Sequence, residues 1–119
     1  KEAWLKSRKY ILEALDRGID SHSEKDVFYA IARGDAQLWT GQKSAIVTEI
    51  VTYPNFKSIR FWLAGGDLEE LKEMENPICE WAKSIGCKKA QIVGRKGWSR
   101  VNFKNESYKD VGTISIRSI

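Results

Sequence analysis

Two stretches of the sequence carry residue types that could do chemistry, and the first is "LAGGDLEE". Gly65 and Gly66 stand between a strand pattern and a helix pattern. Glycines at such a turn let a phosphate approach the backbone, and the positive end of the following helix attracts anions. The first turn of that helix already holds Asp67, Glu69 and Glu70, which complement its positive end. A plain glycine turn with Asp67 as the helix N-cap is therefore the alternative.

The second stretch is "SAIVTEIVTYP", where a carboxylate lies within a β-branched strand pattern. The two-residue period of a strand places Glu49 on one face with apolar neighbours. A carboxylate in such surroundings is the residue type of a general base that takes a proton from an amine. The alternative is a cross-strand ion pair, because Arg60 lies diagonally opposite Glu49 if the turn over 54–57 is tight. Tyr53, next to Pro54, is either a proton donor or a strand-end aromatic residue.

Composition restricts the class of protein. The chain has 119 residues, 42% of them hydrophobic and 30% charged, which predicts one globular domain over 1–119. A net charge of +4 permits an acidic ligand or nucleic acid but does not require either, because the basic residues are scattered. Cys79 and Cys87 have no metal-ligand spacing and are expected to be reduced. The sequence shows neither an apolar run of membrane length nor a signal peptide, so we expect a cytoplasmic protein.

Periodicity and turn residues predict the order α-α-β-β-β-α-β-α-β. The predicted elements are a helix ending at Gly18, a helix capped by Ser23 and stopped by Gly34, strands over 36–40, 44–53 and 58–64, a helix over 67–86, a strand over 89–93, a short helix over 95–103 and a last strand over 110–119. Pro77 either kinks the long helix or begins a second segment capped by Asn76. The strand–helix–strand unit over 57–94 predicts a parallel pair in a mixed sheet.

The order of elements and several motifs resemble the GNAT superfamily of acyl-CoA-dependent N-acetyltransferases. Within it, the sequence resembles a GNAT-like group found in phages and prophages. The resemblance spans nearly the whole chain and is carried by "QLWTG" at 37–41, "IVTEIVTYP" at 46–54, "LAGGDLEEL" at 63–71, "WAKSIGCKKAQIVGRKGWSRV" at 81–101 and "YKDVG" at 108–112. It implies a single-domain α/β GNAT-like fold, with a mixed sheet flanked by helices and without the superfamily's usual first strand.

The resemblance also implies a cofactor, acetyl-CoA, and the residues that hold it. The stretch that corresponds to the superfamily's pyrophosphate turn is "AGGDLEE", although no Arg, Lys or Gln precedes its glycines. Arg95 stands near the position where the superfamily often uses Asn to contact the cofactor. The cofactor-binding residues expected from the resemblance are Leu63, Gly65, Gly66 and Arg95.

The implied reaction is acetyl transfer from acetyl-CoA to an amine on a small molecule or a protein. The resemblance assigns Glu49 as the general base. Many members carry their proton-donating Tyr in the last short helix, where this sequence has Phe103, so Tyr53 is the substitute donor.

A second hypothesis is a non-catalytic phage accessory or structural protein in the host cytoplasm or the virion. It would bind a phage or host protein, with Trp39, Trp62 and Trp98 as its contact surface if they are exposed.

Overall fold

The computed structural model describes residues 2–16, 22–92 and 117, and within them the predicted order of elements is confirmed. The helices and strands are α1 (Glu2–Asp16), α2 (Glu24–Arg33), β1 (Ala36–Thr40), β2 (Ser44–Thr52), β3 (Lys57–Gly66), α3 (Leu68–Ser84) and β4 (Cys87–Ile92). The predicted short helix over 95–103 and last strand over 110–119 lie outside the described residues. None of these three helices combines the length and the apolar composition needed to cross a bilayer.

The four strands form one mixed sheet in the order β1-β2-β3-β4, which makes the fold α/β as predicted. β1 pairs with β2 and β2 pairs with β3 in antiparallel fashion, whereas β3 and β4 are parallel. The parallel pair is joined through α3, because two parallel strands need a long crossover connection.

Helices cover both faces of the sheet and define two apolar clusters. The cluster against α3 contains Ile46, Ile59, Phe61, Ala64, Leu71, Ile78, Ala82 and Cys87. The cluster against α1 and α2 contains Ile11, Ala14, Val27, Ala36, Ala45, Val47 and Leu63. β2 and β3 contribute alternate side chains to both clusters, which is why their sequences are rich in β-branched and aromatic residues.

The helix ends follow the local signals in the sequence. Ser23 caps α2 as predicted and forms a capping box with Asp26, and Gly34 ends that helix with φ of 85°. Asp67 caps α3 by accepting a hydrogen bond from the Glu70 amide at 3.0 Å. Pro77 lies inside α3, which is one continuous helix, so the alternative of a second segment capped by Asn76 is wrong.

A β-bulge in β3 controls which side chains face which helix. Phe61 pairs with Thr48 and Leu63 pairs with Val47, so Trp62 is an extra residue between two consecutive pairs. The extra residue changes the alternation of side chains along the strand, and Leu63 therefore packs toward α1.

The glycine pair lies inside the sheet rather than in the loop that the sequence suggested. Gly65 and Gly66 are the last two residues of β3, and they pair with Ala45 and Ser44. A side chain at Gly65 would collide with the backbone carbonyl oxygen of Tyr10 in α1. The absence of a Cβ at Gly65 thus lets the backbone of α1 lie directly on the sheet.

We expect Gly65→Ala to destabilise the protein by about 1–3 kcal/mol, because α1 must move away from β3 to make room for the methyl group. The thermal midpoint should fall by about 5 °C or more. Gly34→Ala is the comparison, because a Cβ at Gly34 would meet no atom within 4 Å. Its loss of stability should come only from placing an alanine at φ of 85°. A Gly65→Ala variant as stable as the wild type in calorimetry would contradict the packing argument.

Candidate functional site

A polar cluster on the α1-facing side of the sheet brings the two predicted catalytic residues together. Glu49 lies on β2, and Tyr53 follows the end of that strand. Arg60 lies on β3 and Gln91 lies on β4. The four side chains connect three neighbouring strands through hydrogen bonds.

Glu49 and Arg60 form an ion pair across β2 and β3. The two residues are directly opposite each other in the ladder, and Arg60 Nη1 donates to Glu49 Oε1 at 2.9 Å. They are not diagonal, because Tyr53 and Phe56 close a tighter hairpin than expected, with the Tyr53 amide donating to the Phe56 carbonyl at 2.8 Å. Both side chains are about one third exposed, at 31% and 30%, so solvent reaches the pair.

Tyr53 joins this pair through Gln91. The Tyr53 hydroxyl oxygen lies 3.3 Å from Gln91 Oε1 and 3.3 Å from Gln91 Nε2, within hydrogen-bond distance of both. Arg60 Nε donates to Gln91 Oε1, also at 3.3 Å. The hydrogen bond with Gln91, followed by the nearby Arg60 guanidinium, lowers the pKa of the Tyr53 phenol below its ordinary value. A phenol with a lowered pKa is a stronger acid than an ordinary tyrosine side chain.

Gln91 is a site residue that the sequence did not single out. It reaches Arg60 because Arg60 and Gln91 are partners in the parallel β3–β4 ladder. A parallel partner is separated from its neighbour by a whole crossover helix, so the pairing depends on the register that this connection imposes. The only signal in the sequence is a polar residue within the apolar strand pattern "KAQIV".

The rim of the cluster is aromatic and basic. The Phe56 ring packs against the Tyr53 ring with centroids 5.2 Å apart. Lys89 Nζ lies 5.6 Å from the centroid of the Phe56 ring, within the range of a cation–π contact. Lys89 pairs with Ser58 and is two residues from Gln91, so it belongs to the same face of the sheet.

At the glycine end of β3, the acidic residues of the helix start are hydrogen-bonded to the protein. Glu70 accepts hydrogen bonds from the amides of Gln42 at 2.9 Å and Lys43 at 2.8 Å, in the turn between β1 and β2. The Ser44 hydroxyl and the Lys43 and Gln42 amides stabilise the carboxylate and lower the pKa of Glu70. Asp67 both caps α3 and donates its amide to the Lys43 carbonyl at 3.1 Å.

The glycines themselves do not offer an open cradle for a phosphate. A Cβ at Gly65 would meet α1, and a Cβ at Gly66, where φ is 115°, would meet the backbone of Lys43 and Ser44. The space beside both glycines is therefore filled by other parts of the chain. The amides of Leu68 and Glu69, among the first of α3, have no hydrogen-bond partner among the described residues and are the donors that an anion could reach.

The predicted cofactor residues are distributed differently from the catalytic ones. Leu63 is buried in the cluster beneath α1, with 8% of its surface exposed. Arg95 lies outside the described residues. Glu49 is four residues along β2 from Ala45, the partner of Gly65, which places the glycine end about 13 Å from the Glu49–Arg60 ion pair.

The tryptophans that were to form a contact surface are packed rather than exposed. Trp39 donates to the Thr48 hydroxyl at 3.0 Å and packs against Trp81 with ring centroids 5.3 Å apart. Trp62 packs against His22 with centroids 4.9 Å apart. Both rings are half-buried, and Trp98 lies outside the described residues, so a contact surface built on the three tryptophans stays a prediction.

An apolar groove between α1 and α2 is the aromatic surface that the structure does expose. Leu5 is 70% exposed and Tyr29 is 55% exposed. They line the groove together with Trp4 and Phe28, whose ring centroids are 5.1 Å apart. The sequence pattern does not reveal this surface, because the exposure of the outer faces of two amphipathic helices depends on how they pack.

The comparisons with known proteins establish the fold and nothing finer. Within residues 2–16 and 22–92, no three His, Cys, Asp or Glu side chains are grouped to hold a metal ion. No protein-family model matches this sequence, and no curated protein is significantly similar to it. The fold and the site define a small α/β protein with a mixed sheet and a polar cluster on one sheet face.

Two solved structures share this fold, a point mutant and the wild type of TTHA1254 from Thermus thermophilus. The TM-scores are 0.66 for the mutant and 0.61 for the wild type, and each is 11% identical in sequence to this chain. Each alignment covers 97% of this chain, with 92% of the mutant chain and 90% of the wild-type chain. At this identity the similarity concerns the architecture alone.

Gln91→Leu should raise the pKa of Tyr53 toward the ordinary value of a phenol, because it removes the hydrogen bond that contributes most to the lowering. The measurement is the ultraviolet absorbance of phenolate against pH, with Tyr53→Phe identifying the contribution of Tyr53 among the four tyrosines. Identical titration curves for the wild type and Gln91→Leu would show that Gln91 does not influence Tyr53.

Glu70→Gln should lower the free energy of unfolding by about 0.5–1 kcal/mol at pH 7, a modest value because solvent partly screens the carboxylate. Since the folded state lowers the pKa of Glu70, its contribution is complete above the carboxyl pKa of the unfolded chain. It disappears as the pH falls through the pKa of the folded protein.

Urea denaturation from pH 7 to pH 3 would measure how the effect of Glu70 depends on pH. Glu73→Gln, which changes an exposed carboxylate on the same helix, is the control. A difference between Glu70→Gln and the wild type that stayed constant over this range would contradict the role of the charge.

Proposed function

We propose that this chain is an N-acetyltransferase-like protein of the GNAT type, of the kind found in phages and prophages, and that it transfers an acetyl group to an amine. The observation that carries the proposal is the hydrogen-bonded connection between Glu49 and Tyr53 through Arg60 and Gln91. A 2.9 Å hydrogen bond joins Arg60 to Glu49, and hydrogen bonds of 3.3 Å join Gln91 to both Arg60 and Tyr53. A base and an acid held on one sheet face are the minimum that this reaction needs from side chains.

Three residues of the cluster have defined tasks in the proposed reaction. Glu49 accepts the proton that the amine loses as its nitrogen forms the new amide bond. Arg60 holds one oxygen of Glu49 and leaves the other as the acceptor for the proton. Tyr53 donates its proton to the leaving sulfur, a transfer that its lowered pKa favours.

Acetyl-CoA, when bound, supplies the acetyl thioester, and the described residues offer it a narrow set of contacts. The amides of Leu68 and Glu69 are the donors available to a phosphate at the start of α3. They lie beside Asp67 and Glu70, whose charges are both held by hydrogen bonds within the protein. This arrangement favours weak cofactor binding, because a diphosphate there remains close to two carboxylates.

A second candidate function is protein binding without catalysis. The exposed groove lined by Trp4, Leu5, Phe28 and Tyr29 favours it, since apolar patches of aromatic residues are typical of interaction surfaces. On this proposal the chain is an accessory or structural protein that retains the fold without the reaction.

Thermal denaturation with millimolar acetyl-CoA separates the two functions. If the native state binds the cofactor, the midpoint should rise, by an amount that reflects about 2.7 kcal/mol at a hundredfold excess over the dissociation constant. Glu49→Gln should keep that shift and lose turnover by at least a hundredfold, whereas Glu73→Gln, an exposed control, should change neither. No shift at millimolar acetyl-CoA would exclude acetyl transfer and leave the protein-binding function.

A further inference from the structure

The charged groups on the α1-facing side of the sheet carry an excess of positive charge. Glu49 is the acid of the cluster among the described residues, while Arg60 and Lys89 are its cations. Tyr53 and Gln91 are neutral hydrogen-bonding groups between them. A ligand that matches this surface must therefore bring a negative charge in addition to any ammonium that Glu49 attracts.

The ion pair retains one unused acceptor and one unused donor. Arg60 uses Nη1 for Glu49 and Nε for Gln91, and Glu49 uses Oε1 for Arg60. Among the described residues, the second carboxylate oxygen and Nη2 make no further hydrogen bond within 3.5 Å, although the guanidinium also acts on the nearby Tyr53 hydroxyl. Both side chains are about one third exposed, so a small ligand can reach these atoms.

Glu49 and Arg60 are opposite each other in the antiparallel ladder, and their charged groups are in contact at 2.9 Å. A small ligand that meets both groups at once therefore needs an ammonium and a carboxylate close together in the same molecule. Charge-assisted hydrogen bonds to both groups would then hold the ammonium at Glu49 and the carboxylate at Arg60.

We propose that the acceptor bound by this cluster is a zwitterion of the α-amino-acid type. As an acetyl acceptor it rests on the proposed function, but its binding needs neither acetyl-CoA nor turnover. Arg60 acts as the residue that selects for the carboxylate, and Glu49 receives the amino group. An amine without a carboxylate leaves the guanidinium donor unmatched and should bind at least about tenfold more weakly.

The experiment measures binding to the wild-type protein by NMR shift changes in the absence of acetyl-CoA. The probes are the standard L-amino acids, each compared with its carboxamide and with the carboxylic acid that lacks the amino group. We expect one or more amino acids to bind, with both analogues of the same side chain at least about tenfold weaker. Equal affinity for an amino acid and its carboxamide would overturn the proposal.

Variants test which residue makes the discrimination. Arg60→Gln should remove the preference for the amino acid over its carboxamide, while Lys89→Gln, which leaves the ion pair in place, should only reduce it. Arg33→Gln breaks an exposed ion pair with Asp35, at 2.9 Å, and is the matched control that should keep the full preference. Retention of the full preference in a folded Arg60→Gln variant would overturn the assignment of Arg60.

Turnover assays with acetyl-CoA then separate the two proposals. Amino-acid binding without acetyl transfer would contradict the proposed function while supporting the zwitterion site. Acetyl transfer to amines regardless of a carboxylate would support the proposed function and overturn the zwitterion site. Absence of both binding and transfer would overturn both.

Discussion

The arrangement of this molecule depends on the β-bulge at Trp62. Before the bulge, β3 directs Arg60 to the side of α1 and Phe61 to the side of α3. After it, Leu63 and Gly65 face α1 and Ala64 faces α3. A strand without the bulge would place these three residues on the opposite faces. The bulge therefore lets one strand carry a polar residue, and then a buried leucine and a bare glycine, on the same face. Without it, α1 would meet side chains where it now meets the Gly65 backbone.

That arrangement divides the α1-facing side of the sheet into two regions with different roles. The end near Gly65 is covered by helix backbone, which explains the glycine without reference to any ligand. The end near Arg60 keeps its polar side chains partly accessible to solvent. A similarity in fold to TTHA1254 does not distinguish these regions, because function depends on the side chains that a fold presents. The side chains at the accessible end are therefore the candidates for a functional role on this face of the sheet.

The start of α3 illustrates how a sequence motif can be used within the protein. Three acids after two glycines suggested a conflict with a bound diphosphate. The structure places Glu70 on the amides of the β1–β2 turn and Asp67 on the helix itself, so two of the acids stabilise a connection between sheet and helix. These carboxylates would still repel a diphosphate at the start of α3, because hydrogen-bonded carboxylates remain charged.

The sequence determined the local features, because their physical causes are local. The N-cap at Ser23, the stop at Gly34 and the strand character of residues 36–40, 44–52 and 58–64 follow from neighbouring residues, as does the N-cap at Asp67. The order of elements was enough to predict a mixed sheet, since a strand–helix–strand unit returns parallel.

Only the tertiary structure decided register and contact between distant residues. The direct opposition of Glu49 and Arg60 depends on a hairpin one step tighter than the sequence suggested, and the position of Gln91 depends on the register of a parallel pair. The half-buried positions of Trp39 and Trp62 were decided in the same way, since the exposure of an aromatic ring depends on what packs over it. A shift of one residue in any strand moves a side chain to the other face, so residue types alone could name Glu49, Tyr53 and Arg60 but neither Gln91 nor the contacts among the four.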